Sequence, residues 1–288
     1  MTSARRLAVF AAAFFRGLVV LACLPPSGAQ ASPRVVATIL PLHALAAGVM
    51  AGVGVPILLL KPGTSPHHYS LRPMDARILG RADVIIWVGP RLERFLVKPL
   101  ANLASTARLL SVAEGNETDT HPWLDPRKAI AMIGRIAQLL ATVDPPHANV
   151  YRHNAETMSG RLGRLDAKLA KMLAGVRGRA FMTYHDAFSG FARHYGLDLA
   201  GALMRIPDHQ PGARTIAAAR ARMERGRIRC LFVEPQSPPP LARMLVAGTA
   251  VHLAAVDPLG AGLAPGADAY ARLLEQVARA IRDCLDPK

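Results

Sequence analysis

Lys61-Pro62-Gly63-Thr64-Ser65-Pro66-His67-His68-Tyr69-Ser70-Leu71-Arg72-Pro73 joins a strand pattern to a helix pattern. Val55 to Leu60, just before it, is apolar and rich in strand-favouring residues. Pro73, at its end, opens a helical pattern that Gly80 stops. The stretch contains three prolines, one glycine and two adjacent histidines, so two imidazoles ride on a stiffened loop. In open α/β sheets, ligands bind beyond the carboxyl ends of the strands, and this loop leaves such an end.

The alternation continues on both sides. Upstream, Val35 to Leu40 reads as a strand, and Pro41-Leu42-His43 turns into a helix through Ala44 to Met50. Downstream, Asp83 to Val88 and Arg108 to Val112 read as strands around a partly helical Leu92 to Leu103. Asp125-Pro126 is a helix start, a side-chain cap followed by proline at the first helical position. Asp144-Pro145 is a second. From there to Gly175 no strand signal intervenes, and Met158, Leu162, Leu165, Leu169 and Leu173 keep helical spacing. The alternation then resumes. Arg179 to Tyr184, Leu197 to Leu203, Cys230 to Val233 and Val251 to Val256 read as strands, with His185-Asp186 opening a helix after the first. Helices fill the gaps, and Tyr270 to Ile281 closes the chain. This predicts an α/β protein of two lobes, residues 32–143 and 177–288. Each is a mostly parallel sheet flanked by helices, and one long spine over 144–176 joins them.

The N-terminus reads as an export signal. Arg5 and Arg6 precede an apolar run from Leu7 to Leu24 broken by Arg16, and Ala29-Gln30-Ala31 supplies a cleavage site. A retained anchor and lipid attachment at Cys23 are the alternatives. Removing residues 1–31 takes away three arginines and no acid, so the formal charge falls from +15 to +12. That balance raises nucleic acid or an anionic membrane as partners. Aromatics at 5% argue against a stacking surface for nucleic acid. The densest basic cluster, Arg214, Arg220, Arg222, Arg225, Arg227 and Arg229, alternates with Ile216, Ala217, Ala221 and Met223, as the wet face of an amphipathic helix does. Two cysteines remain after cleavage, Cys230 and Cys284. An even count in an exported chain points to one disulfide, with two buried thiols as the alternative.

His67, His121, His185 and Asp257 each follow or end a strand pattern, two in each lobe. A cleft between the lobes would gather three imidazoles and a carboxylate, a donor set suited to tetrahedral Zn²⁺. Mn²⁺ prefers more oxygen. The gaps of 54, 64 and 72 residues match no short zinc motif, so spacing alone leaves ordinary loop histidines as the competing reading. Metal ligands must be deprotonated, which predicts that affinity falls through the histidine pH range.

Five segments occur in the order found in the periplasmic zinc-binding proteins of ABC transporters, the metal-binding cluster A-I family, which this chain resembles. They are Pro-His-His-Tyr-Ser-Leu-Arg-Pro at 66–73, His-Pro-Trp-Leu-Asp-Pro at 121–126, Tyr-His-Asp-Ala-Phe-Ser-Gly-Phe at 184–191, Phe-Val-Glu-Pro-Gln at 232–236 and Val-Asp-Pro-Leu-Gly at 256–260. The resemblance runs from about residue 33 to the end. It implies a zinc ion as cargo between two lobes, delivery to a membrane permease, a periplasmic monomer and no catalysis. His67, His121 and His185 match the family histidines. Manganese carriers usually have glutamate at the third position. Asp257 matches a carboxylate that is a ligand in some members. There are three departures. Pro66 stands where zinc members often have glutamate, which leaves Asp257 or water as fourth ligand. His68 stands where aspartate is frequent, and is itself a candidate. The loop Glu114 to Thr120 is short and has no histidine. The readings set against zinc transport are Mn²⁺ or Fe²⁺ carried by the same fold, or a zinc hydrolase with Glu234 or Asp257 as general base.

Overall fold

Val35, Val36 and Ala37 form β1 (Val35–Ala37) and are fully buried. The strand is shorter than its apolar pattern because α1 (Leu40–Val49) starts at once, with Pro41 in its first turn. β2 (Ile57–Leu58) is only two residues long and lies at a sheet edge. The first half continues with α2 (Pro73–Leu79), β3 (Val84–Trp87), α3 (Val97–Leu103), β4 (Arg108–Ser111) and α4 (Pro126–Val143). α5 (Ala148–Leu173) follows. The second half holds β5 (Ala180–His185), α6 (Ser189–Tyr195), β6 (Leu199–Met204), α7 (Ala213–Glu224), β7 (Ile228–Val233), α8 (Pro240–Val246), β8 (His252–Ala255) and α9 (Ala269–Leu285). The structure is a computed structural model, describing residues 32–104, 106–113, 119–204, 211–236 and 240–287. The expected export signal, Cys23 and residues 114–118 lie outside them.

The strands make two four-stranded sheets, ordered β2-β1-β3-β4 and β6-β5-β7-β8, and every pairing is parallel. All carboxyl ends within a sheet therefore point the same way, which brings their loops together.

Asp125 caps α4 as its sequence predicts, its carboxylate accepting the Arg127 N–H at 2.9 Å. Asp144 behaves differently. Its carboxylate accepts the Tyr151 hydroxyl at 2.6 Å and contacts His147 Nδ1 at 2.8 Å, while a 3₁₀ turn over Pro145–His147 leads into α5. Gly160 and Gly163 do not break α5, whose 26 residues span roughly 39 Å at ~1.5 Å each. The arginine-rich segment also departs from expectation. α7 ends at Glu224, and Gly226 turns the chain at φ 73°, so Arg225, Arg227 and Arg229 lie beyond the helix. Arg220 is only partly exposed. It donates to the carbonyls of Leu245 (2.9 Å) and Ala247 (2.6 Å) at the end of α8.

One apolar cluster runs through both halves. It joins Val36, Ile85 and Leu45 to Ile133, Leu169, Phe181, Phe191 and Leu274. α9 supplies a full buried stripe, Tyr270, Leu273, Leu274, Val277, Ala278 and Ile281. A smaller cluster, including Met182, Met223, Leu231 and Leu245, lies between the second sheet and α7 and α8. Cys230 in β7 is bonded to Cys284 in α9, with the two Cα atoms 6.3 Å apart. Among the described residues, no helix is long and apolar enough to cross a membrane.

Candidate metal centre

Each histidine is presented by a different strand end. His67 lies in the loop between β2 and α2. That loop is braced where Tyr69 donates to the buried Asp75 at 2.6 Å, and the same carboxylate accepts the Arg72 N–H at 2.8 Å. His121 follows β4. Asp119 accepts its backbone N–H at 2.9 Å and pairs with Lys128 of α4 at 3.1 Å. His185 is the last residue of β5 rather than the first of a helix, because the sheet pairing runs one residue further than the polar His185-Asp186 pair suggests.

The three rings converge. Their centroids are 5.6 Å (His67–His121), 4.9 Å (His67–His185) and 4.8 Å (His121–His185) apart. One nitrogen from each lies within 4.8 Å of the others. His121 and His185 are 3% and 4% exposed. The Nε2 atoms of His67 and His185 are buried with no hydrogen-bond partner among the described residues. Such unsatisfied nitrogens cost about 1–3 kcal/mol each, a cost a ligand would remove.

Burial favours the neutral rings. It pushes His67 down to about 3, with His185 and His68 adding to the shift. His121 is driven well below its ordinary value, by burial first and then by His185 and His67. Both rings are therefore ready to donate lone pairs at neutral pH.

Asp257 follows β8 but stands outside the group of converging nitrogens. Its Oδ1 accepts from the Gln236 amide (2.7 Å) and the Leu259 N–H (2.9 Å), and its Oδ2 from the Ala261 N–H (2.5 Å). His68 is exposed, with its ring centroid 6.5 Å from that of His67.

Several contacts around the rings have no spacing signal of their own. Thr120 Oγ1 lies 3.0 Å from His121 Nδ1, and Glu234 Oε1 lies 2.6 Å from His185 Nδ1. The sequence marked Glu234 only as the base of a hydrolase, although, like the histidines, it follows a strand pattern. Beneath the rings, Trp123 donates its indole N–H to Pro258 O at 2.8 Å, and the Tyr270 hydroxyl donates to Trp123 O at 2.5 Å. The His121 turn of the first half is thereby bonded to the Asp257 turn and α9 of the second. Gly190 permits a further approach, because a Cβ there would lie 2.9 Å from Asp119 Oδ2.

The profile of one family, zinc-uptake complex component A (periplasmic), matches residues 35–284. The high-affinity zinc uptake system protein ZnuA of Brucella abortus is 31% identical over 304 residues, spanning 87% of this chain and 91% of its own. That of Paracoccus denitrificans is 32% identical over 299 residues, spanning 88% and 92%. A crystal structure of ZnuA shares the fold at a TM-score of 0.78 and 21% identity, covering 88% of this chain and all of that one. The braced histidine loop, the converging rings and the extent of these matches lead to one conclusion: the chain belongs to the family of periplasmic component A of zinc-uptake complexes.

Proposed function

We propose that this protein binds Zn²⁺ in the periplasm through His67, His121 and His185 and delivers it to the permease of an ABC transporter for uptake. The convergence of three largely buried imidazole nitrogens within 4.8 Å carries the reading. In a tetrahedral site with Zn–N of about 2.1 Å, ligand nitrogens sit roughly 3.4 Å apart, so the rings need close by little more than ~1 Å. For Nε2 of His121 and His185 to bind zinc, each Nδ1 must carry the proton, and Thr120 and Glu234 are placed to accept it.

The fourth position falls to water, or to Asp257 once it releases Gln236. Three imidazoles favour zinc over Mn²⁺ or Fe²⁺. A hydrolytic role is disfavoured because Glu234 is engaged by His185 and Asp257 by three N–H groups. The reading includes cleavage after Ala31, a monomeric mature chain, and lobes 32–143 and 177–288 joined by 144–176.

Calorimetry on metal-stripped protein tests it. Four-ligand zinc sites are worth roughly 10–16 kcal/mol, about 3 kcal/mol per ligand, so His67→Ala, His121→Ala and His185→Ala should each weaken zinc by ~100-fold or more. Unchanged affinity in all three would remove the site. Tighter binding of Mn²⁺ than of Zn²⁺ would change the cargo.

A further inference from the structure

We propose that Glu234 is a positioning residue for zinc capture: its carboxylate fixes His185 in the Nδ1–H tautomer and aims Nε2 at the other two rings. The proposal rests on the reading of the three histidines as the zinc site.

Glu234 directly follows β7, the strand next to β5 that carries His185. Its Oε1 lies 2.6 Å from His185 Nδ1, with the ring 4% and the carboxylate 17% exposed. An ionised carboxylate can only accept, so Nδ1 holds the proton and donates it. With Nδ1 turned to the carboxylate at 2.6 Å, Nε2 is the nitrogen left to face the other two rings. That atom is buried, has no partner among the described residues, and belongs to the ring that approaches both of the others.

The three imidazoles are not supported alike. His121 Nδ1 faces a neutral hydroxyl, Thr120, at 3.0 Å. A charged acceptor does two things a hydroxyl cannot. It makes the shorter, stronger hydrogen bond, and it raises the electron density that the ring can offer a cation. Two residues further on, Gln236 holds Asp257 at 2.7 Å. The turn after β7 thus touches both the end of β5 at His185 and the turn at Asp257.

Two variants separate orientation from charge. Glu234→Gln keeps an acceptor oxygen and loses the charge. Glu234→Ala loses both. In metal-free, ¹⁵N-labelled protein, two-bond ¹H–¹⁵N correlation spectra report which ring nitrogen of His185 is protonated. The wild type should show the Nδ1–H tautomer, Glu234→Gln should keep it, and Glu234→Ala should show a mixture. Competition with a chromophoric chelator should give zinc affinity ~10–100-fold weaker in Glu234→Ala, with Glu234→Gln in between. Melting of the metal-free proteins checks that both fold, and if Glu234→Ala does not, the near-isosteric Glu234→Gln carries the affinity test. A wild-type His185 protonated on Nε2, or variant affinities within twofold of wild type, overturns the proposal. A wild type that fails to bind zinc overturns the parent reading instead, and the tautomer spectrum still reports on the contact.

Discussion

Replacing His67 with alanine should flatten the acid side of the metal-free protein's stability profile. The His67 ring is held at about 3 by burial, with His185 and His68 adding to the shift, whereas an imidazole in the unfolded chain titrates near 6.5. A histidine lowered in this way costs nothing above pH 6.5, where both states are neutral. Below 6.5 the unfolded chain takes up a proton that the folded chain refuses, and stability falls until the pH nears 3. At pH 5 the linkage is worth about 2 kcal/mol, or roughly 4–8 °C in melting temperature for a chain of this size. Buried Glu93 acts in the opposite sense. Burial raises it to about 7, against the pull of the Val88 and Gly89 N–H groups it accepts, so folding is relieved as the pH falls from 7 towards 4.5. The informative quantity is therefore the difference between wild type and variant. Chelator-treated proteins would be melted from pH 8 to pH 5. The gap should shift in favour of His67→Ala by about 2 kcal/mol over that range. A gap that stays constant would mean that the His67 ring is not kept neutral by its surroundings, and the reasoning fails. The same shift revises the pH expectation for the cargo. His67 and His121 stay neutral well below 6.5, so their protonation should not weaken zinc binding until the solution is far more acidic.

Three other perturbations have defined outcomes. Glu93→Gln should stabilise the protein above pH 7 by roughly 2–3 kcal/mol and have little effect at pH 4.5, read from urea titrations at both pH values. Replacing Cys230 and Cys284 with alanine opens a closure of 54 residues, for which chain entropy gives about 4 kcal/mol, and melting temperatures with and without reductant should show a loss of that order. Trp123 is fully buried, with its ring centroid 5.1 Å from that of His121, so zinc should change its fluorescence. Trp123→Phe should abolish that change and cost about 1–3 kcal/mol by leaving Pro258 O without its donor.

Much of the architecture was legible in the chain. The spine was readable because Leu162, Leu169 and Leu173 keep a helical stripe, and all three are buried. Strand lengths were overread in the first half because an apolar run does not show where pairing stops. Ile57–Leu58 is an edge pair inside a six-residue apolar run, and Leu40 belongs to a helix whose core face is equally apolar. Arg220 shows another limit. Its spacing places it on a wet face, but the carbonyls at the end of α8 recruit it, and that depends on tertiary contacts. For the site, the position of each histidine at a strand's end was readable from the residues, whereas spacing alone did not bring them together and their convergence was expected from the family resemblance. No local pattern singles out His194, buried between Asp166 (2.7 Å) and Asp125 (3.5 Å).

The apolar interior shared by the two sheets has a mechanical consequence. Hinging the halves apart would wet side chains such as Trp123 and Tyr270, at roughly 1.5–3 kcal/mol for each large residue exposed, and would also break the bond from Trp123 to Pro258. Spontaneous fluctuations rarely reach that sum. If the body stays shut, exchange of the ion would fall to the segments that carry the rings.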